Sequence, residues 1–227
     1  MKSLFFDRSE VPEILKKVRS LGFQTHYDFD KHRVELGLEQ QDREAFLRLP
    51  LTLTCNQTLV LNFEKEVTYI MLLVQSGSAS VGVFKGEECL AHKVFGAYMV
   101  RKKQGKSQIK HLKTKGKSRA GSRVRLASTL EFFENINLRL QNHFQEYEFD
   151  RIAMSCSKIL VPYLFGSKEN TPFDKKDNRL YKIPKHLHQP NFEVMLGMQK
   201  YLNKAELVYD ETLFDQFEDL KNIGTSI

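Results

Sequence analysis

The chain has 227 residues, 41% of them hydrophobic and 28% charged, with 17 Phe and 8 Tyr but no Trp, and 35 Lys and Arg against 28 Asp and Glu leave a net charge of +7. That is enough apolar material for one large domain or two small ones, while three widely spaced cysteines (Cys55, Cys89 and Cys156) argue against a structural zinc site and a disulfide framework and fit a reducing compartment. The amino terminus meets charge and Pro12 too early for a signal peptide, and the longest apolar run, residues 69–74, is far too short to span a bilayer, so a cytoplasmic protein with no membrane partner is expected.

Ser9 followed by Pro12 and Glu13 reads as a capped helix start, and Val11, Ile14, Leu15, Val18 and Leu21 recur at helical spacing until Gly22. Residues 23–29 and 33–38 flank a polar Asp30-Lys31 turn and predict a hairpin. Residues 40–49 predict a short helix that stops before Pro50. No chemistry is recognisable in this leader; packing on the main domain is expected of it, with docking on a partner as the other reading.

From Val67 onward the pattern changes to short β-rich runs at 68–75, 78–84, 89–95 and 98–101, separated by Gly77, Gly86 and Gly96. Residues 101–122, RKKQGKSQIKHLKTKGKSRAGS, have Gly105, Gly116 and Gly121 and no periodicity, and predict a long exposed loop; such loops inside compact domains are usually functional or disordered. After Gly121, Val124, Leu126, Leu130, Phe133, Ile136, Leu138, Leu140 and Phe144 predict one long helix. Residues 151–155 then read as a buried strand, 158–165 as a short helical segment and 166–178 as a polar loop. Ile183-Pro184 and Gln189-Pro190 precede an amphipathic helix built on Phe192, Val194, Met195, Met198 and Leu202, and 205–209 reads as a closing strand before an acidic tail, 210–227, that could form a last helix. Strands followed by alternating helix and strand predict an α/β fold, a mixed β-sheet flanked by helices.

Charge is concentrated rather than spread. Residues 89–130 contain no Asp or Glu but hold Lys93, Arg101, Lys102, Lys103, Lys106, Lys110, Lys113, Lys115, Lys117, Arg119, Arg123 and Arg125; outside them 23 basic residues face 28 acidic ones. Local positive charge without internal partners is costly unless an external polyanion neutralises it, and nucleic acid is the usual one. RNA contact is therefore expected along this stretch, mostly through phosphates, with base stacking left to Phe, Tyr, His or Arg.

The central string GSASVGVFKGEECLAHKVFGAYMVRKKQGKSQ and the later KGKSRAGSRVR contain Gly77, the small-residue strand 79–84, His92-Lys93 with Phe95, Tyr98, Val100-Arg101, Lys103-Gln104-Gly105, Ser107-Gln108, and Ser118 with Ala120-Gly121. Further on come Asp177, Arg179, Ile183-Pro184, Pro190 and Phe192-Glu193. In these residues the chain resembles the release-factor-like domain of the Vms-type peptidyl-tRNA-cleaving factors of ribosome-associated quality control, a group that includes the eukaryotic ankyrin-repeat and zinc-finger peptidyl-tRNA hydrolase. The resemblance covers roughly residues 67–209. It gives an expected division into an α+β extension at 1–66, a release-factor-like catalytic domain at 67–210 and an acidic tail at 211–227.

The resemblance implies a fold similar to the central domain of eukaryotic and archaeal class-one release factors, whose glycine- and glutamine-bearing loop reaches into the peptidyl-transferase centre. Gln108 matches the family's catalytic glutamine. Implied partners are the large ribosomal subunit, its rRNA and a stalled peptidyl-tRNA, with no cofactor and no metal. The implied activity is release of the nascent chain by cleavage of either the tRNA acceptor end or the peptidyl ester, that of an endonuclease or a peptidyl-tRNA hydrolase. A glutamine does not titrate near neutrality, so Gln108 would orient a water or 2′-hydroxyl and bind a developing oxyanion rather than act as a base. Arg101, Lys102, Lys103, Lys106 and Lys110 would bind phosphates, and Gly105 would let the backbone approach RNA closely.

Two departures stand out. The family has adjacent glycines before the glutamine region, where this chain has Gly105-Lys106-Ser107-Gln108; its arginine-rich, aromatic and acidic turn at the start of the long helix is replaced by Arg125-Leu126-Ala127-Ser128-Thr129. The zinc finger, ankyrin repeats and segregase-binding helix of the eukaryotic proteins have no counterpart, so the chain looks like a stand-alone bacterial version. Lys106 keeps a second reading open, a non-catalytic ribosome- or tRNA-binding module of the same fold. A basic α/β domain that contacts polyanions without specificity is the third.

Other chemistry-bearing residues have plainer readings. Gln104 is a rival to Gln108, and outside a family context either is an ordinary solvated loop residue. His92 is expected to be a core or hydrogen-bonded histidine, and His111 a solvated one. His186 and His188 lack nearby carboxylates or cysteines and make a poor metal site. Ser107 and Ser118 have no certifiable Lys or His partner, so nucleophilic catalysis is not expected. Cys89 and Cys156 are expected as buried packing residues.

Overall fold

The structure, a computed structural model, describes residues 1–38, 41–97, 117–185, 187, 189–213, 217, 218 and 220, with backbone alone for 38, 41–44 and 117–126. In chain order the elements are β1 (Lys2–Phe6), α1 (Val11–Ser20), β2 (Gln24–Asp28), β3 (Arg33–Leu38), β4 (Gln41–Arg48), β5 (Thr54–Cys55), β6 (Leu61–Asn62), β7 (Thr68–Gln75), β8 (Ser78–Lys85) and β9 (Glu88–Gly96). They continue as α2 (Lys117–Glu146), β10 (Arg151–Cys156), α3 (Val161–Phe165), β11 (Leu180–Lys182), α4 (Phe192–Asn203) and β12 (Ala205–Tyr209). The chain divides into two compact units, Met1–Thr68 with Lys85–Glu88 and Leu196–Ile227, and Tyr69–Phe84 with Cys89–Met195.

The first unit holds an antiparallel sheet in the order β1-β12-β4-β3-β2. α1 lays Val11, Ile14, Leu15 and Val18 into a core with Val34, Leu36, Leu47, Leu207 and Tyr209, as its helical spacing predicts. Its entry differs from the expected Ser9 cap: a 3-10 turn, Arg8–Glu10, precedes it, and the Asp7 N–H donates to Glu10 Oε2 at 2.6 Å. The β2–β3 hairpin forms as predicted, and the buried His32 closes it. His32 Nε2 donates to the Pro50 carbonyl at 3.0 Å, and Nδ1 lies 2.7 Å from the Tyr27 hydroxyl.

The second unit holds a mixed sheet in the order β11-β10-β7-β8-β9. β10 pairs parallel with both β7 and β11. The two short connections that join β7 to β8 and β8 to β9 require antiparallel neighbours. One face buries Ile70, Leu72, Val74, Val81 and Val83 under Phe132, Phe133, Ile136 and Leu140 of α2. The alternate residues of the same strands, Tyr69, Met71, Leu73 and Phe84, are buried on the other face, where Tyr69 and Phe84 stack at 5.2 Å. Strands buried on both faces read as continuous apolar runs, which is why 69–74 has no alternation. The α/β class with a mixed sheet flanked by helices is the one expected.

Other local readings differ for identifiable reasons. Residues 40–49 form strand β4, not a helix: Ala45, Leu47 and Leu49 are buried at alternate positions, and pairing with β3 and β12 overrides the helix-favouring Glu, Gln and Arg composition. The long helix begins at Lys117, ahead of Gly121, because one glycine costs a helix only about 1 kcal/mol. The strand 205–209, expected to close the α/β sheet, lies between β1 and β4. Strands β1, β5, β6 and β11 were not foreseen; β5, β6 and β11 span only two or three residues, too few for a period to register.

Gly82 sits where β8 must pass α4. A Cβ there would lie 2.4 Å from Met195 Sδ and 2.8 Å from Phe84 Cε2. Gly82→Ala is expected to destabilise the chain by about 1–3 kcal/mol, read as a lower denaturation midpoint at unchanged slope, and Met195→Ala in the same chain should recover part of the loss. A neutral Gly82→Ala would contradict this packing.

Candidate nucleic-acid interface

The parallel strands β7, β10 and β11 end at one edge of their sheet, at Gln75, Cys156 and Lys182. β8 runs away from that edge and β9 returns to it, where the Ala97 N–H donates to the Gly77 carbonyl at 2.9 Å. The chain therefore leaves β9 for the basic stretch at the edge where the parallel strands finish. α2 carries it back. Its 30 residues span about 45 Å, and its first buried side chain among those described is Phe132. α3, which follows β10 at the same edge, is tied to α2 by Asn137 Nδ2, which donates to the Leu164 and Glu169 carbonyls at 2.9 and 2.8 Å, and by the Phe133–Tyr163 stack at 5.9 Å. Residues 117–131 form about four helical turns of α2 ahead of Phe132.

Lys117, Arg119, Arg123 and Arg125 fall on those first turns. Gln108, the expected catalytic residue, lies outside the described residues, as do Arg101, Lys102, Lys103, Gln104, Gly105, Lys106, Ser107, Lys110, Lys113 and Lys115. So do Tyr98, His111, His186 and His188.

Sequence reasoning missed a groove between β9 and α2, lined by Lys93, Phe95, Asn135, Leu138, Arg139 and Asn142. Asn135, Arg139 and Asn142 recur at helical spacing on α2, the one local signal that could have revealed it. Arg139 Nε is buried and has no hydrogen-bond partner among the described residues. Two cations, two amides and an aromatic edge suit a sugar-phosphate backbone.

Several residues that carry the family resemblance turn out to hold the fold. His92 is exposed rather than in the core, and its ring stacks on Phe192 with centroids 3.9 Å apart. Asp177 takes a two-pronged bond from Arg179, at 2.7 and 3.0 Å, and the Arg179 side-chain bonds hold its carboxyl below the usual range; the pair fixes the turn that starts β11. Cys89 and Cys156 are half-buried rather than fully so. Burial raises the Cys89 thiol and pushes that of Cys156 up to about 12, so neither supplies a thiolate at neutral pH. Among the described residues no group of His, Cys, Asp and Glu could hold a metal ion, and no helix is long and apolar enough to cross a membrane.

His143, on the packed half of α2, is buried and neither ring nitrogen has a partner among the described residues. Burial, then Arg139, lowers its pKa against an opposing pull from Glu146. A His that titrates lower in the fold than in the unfolded chain makes stability fall with pH below about 6.5. The melting temperature should therefore drop from pH 7.5 to 5.5, and drop less in His143→Gln. Equal drops in both proteins would rule His143 out as the cause.

Against this geometry, the profile of the family described as Bacteroidetes VLRF1 release factor matches residues 69–210. The chain belongs to that family. Its matched span takes in the mixed sheet, the basic stretch and α2. The chain is also 26% identical over 149 residues to the mouse (Mus musculus) protein described as tRNA endonuclease ANKZF1, an alignment that takes in 63% of this chain and 19% of that protein. It thus spans about a fifth of the length of this curated relative. A solved structure titled Vms1 mitochondrial localization core aligns with 87% of this chain and 82% of its own at 13% identity and a TM-score of 0.43.

Proposed function

We propose that this chain is a cytoplasmic factor of translation quality control that engages the large ribosomal subunit and its rRNA when a peptidyl-tRNA has stalled there. It frees the nascent chain through the segment that carries Gln108. The reading rests chiefly on the match of residues 69–210 to a release-factor family, because that span contains Gln108 and the whole of the acid-free run 89–130. Arg101, Lys102, Lys103, Gln104, Gly105, Lys106, Ser107, Lys110, Lys113, Lys115, Lys117, Arg119, Arg123 and Arg125 bind RNA in this reading. The likeness to a protein described as a tRNA endonuclease supports cleavage at the acceptor end as one form of release, with hydrolysis of the peptidyl ester as the other. Lys106, in place of a family glycine, favours a second reading in which the same fold binds ribosome or tRNA without chemistry.

Purified large subunits carrying a labelled peptidyl-tRNA separate the readings. Incubation with the chain should convert the label to free peptide, with intact tRNA marking ester hydrolysis and shortened tRNA marking acceptor-end cleavage. Retained binding with no released peptide would leave the binding module. Binding that falls steeply with salt and shows no preference for ribosomes or tRNA would favour unspecific polyanion contact.

A further inference from the structure

A cleft of about 560 Å³ opens at the edge where β7, β10 and β11 end, and the release reading assigns it nothing. Phe165, Leu180 and Ile183 give it an apolar lining, and the amide of Gln75 with the hydroxyls of Ser155 and Ser157 supply polar groups. Lys158, Lys175, Lys182 and Lys185 also line it, each on an exposed residue, and among the described residues no Asp or Glu does. Lys158, Lys175 and Lys182 form no ion pair among the described residues. Lys175 Nζ stands 5.4 Å from the Phe165 ring centre, so charge and aromatic face meet at one wall. Four like charges around one opening raise its potential and draw in an anion. The carboxyl end of parallel strands is also where open α/β sheets seat their ligands.

A phosphate alone would have no use for the apolar lining, and an apolar ligand none for the lysines. A flat heterocycle bearing phosphate uses both: the base packs on Phe165, the serine and glutamine groups meet its edge, and the lysines neutralise the phosphate. We infer that this cleft binds a nucleotide, with its base on Phe165 and its phosphate among Lys158, Lys175, Lys182 and Lys185. The nucleotide belongs either to an unpaired stretch of RNA or to the free pool. The inference stands apart from Gln108 and from peptide release.

The test uses the full chain, with AMP and a single-stranded RNA hexamer as probes, each also made with a photoactivatable 8-azidoadenosine, and with inorganic phosphate as competitor. Cross-links are expected in peptides spanning 154–165 or 180–185. They should weaken by roughly tenfold or more in Lys158→Glu/Lys182→Glu, and Phe165→Ala should weaken them as well. A stronger hexamer signal assigns the nucleotide to RNA, and a stronger AMP signal to the free pool. Lys110→Glu/Lys113→Glu, in the basic stretch, should lower total hexamer affinity and leave the AMP cross-links in the cleft in place. Thermal melts establish that the variants fold, and Lys158→Ala/Lys182→Ala replaces the charge reversal if it does not. Cross-links confined to other peptides, unchanged labelling in the lysine variants, or phosphate competing as well as AMP would each overturn the inference. None of these readouts depends on peptide release, so failure of the release assay leaves the result standing.

Discussion

Gln108→Ala is expected to lower peptide release from stalled large subunits by about two to three orders of magnitude, the usual cost of removing one donor aimed at a developing oxyanion. The side chain is uncharged at every working pH, so in the proposed role its contribution would be placement: it would hold a water or 2′-hydroxyl and stabilise charge that appears only in the transition state. The loss should therefore fall on the release rate, while co-sedimentation with large subunits stays at the wild-type level. Charge reversals at Lys102, Lys103 and Lys110 should do the opposite, lowering binding and flattening its salt dependence with less effect on the rate in the bound complex. Gln104→Ala is the internal control, since that residue lies on the same stretch and would move the rate only if it were the acting glutamine. Lys106→Gly tests the departure from the family pattern, and a faster rate would mean that the lysine restrains the segment. Equal release by wild type and Gln108→Ala would sink the catalytic role of that residue.

What could be read in advance depended on how far a signal extends along the chain. The β-rich runs 68–75 and 78–84 are long enough to announce a doubly buried sheet, and Val11, Ile14, Leu15 and Val18 span enough turns to announce α1. β11 is three residues long and exists because it pairs in parallel with β10, a partner nearly thirty positions away that no local pattern indicates. β4 has a helix former's composition and a strand's alternation, and the neighbouring strands decide between them. At the proposed interface, twelve cations in an acid-free run and the family motif were legible because charge and motif need no fold to be counted. The β9–α2 groove and the lysine-lined cleft were not, because Lys93 meets Arg139, and Lys158 meets Lys182, only after the sheet has assembled.

Glu206→Ala is expected to cost about 3–5 kcal/mol, the penalty for stranding a buried charge. Arg48 and Glu206 face each other in register on β4 and β12, with Nε 3.1 Å from Oε2, and the Arg48 side chain is only 3% exposed. The guanidinium also donates to the Tyr201 carbonyl at 3.1 Å and lies 4.4 Å from the Tyr201 ring centre, while the Tyr201 hydroxyl donates to Glu206 Oε2 at 2.6 Å. Alanine at 206 removes the acceptor shared by both donors and leaves the cation buried beside a ring and a carbonyl. The pair lies on strands that are far apart in the chain and joined by the backbone ladder from Glu206 to Tyr209, so its loss weakens a long-range contact within one sheet. For a chain of this size each kcal/mol moves the melting temperature by about 2–4 °C, so a fall of roughly 10 °C is expected. Tyr201→Phe keeps the ring and the ion pair and should cost only about 1 kcal/mol. Replacing both charges, as Arg48→Met/Glu206→Leu, should return most of the stability, since well-packed apolar residues can substitute for a buried pair. If the double variant melts as low as Glu206→Ala, the loss comes from packing rather than from the uncompensated charge.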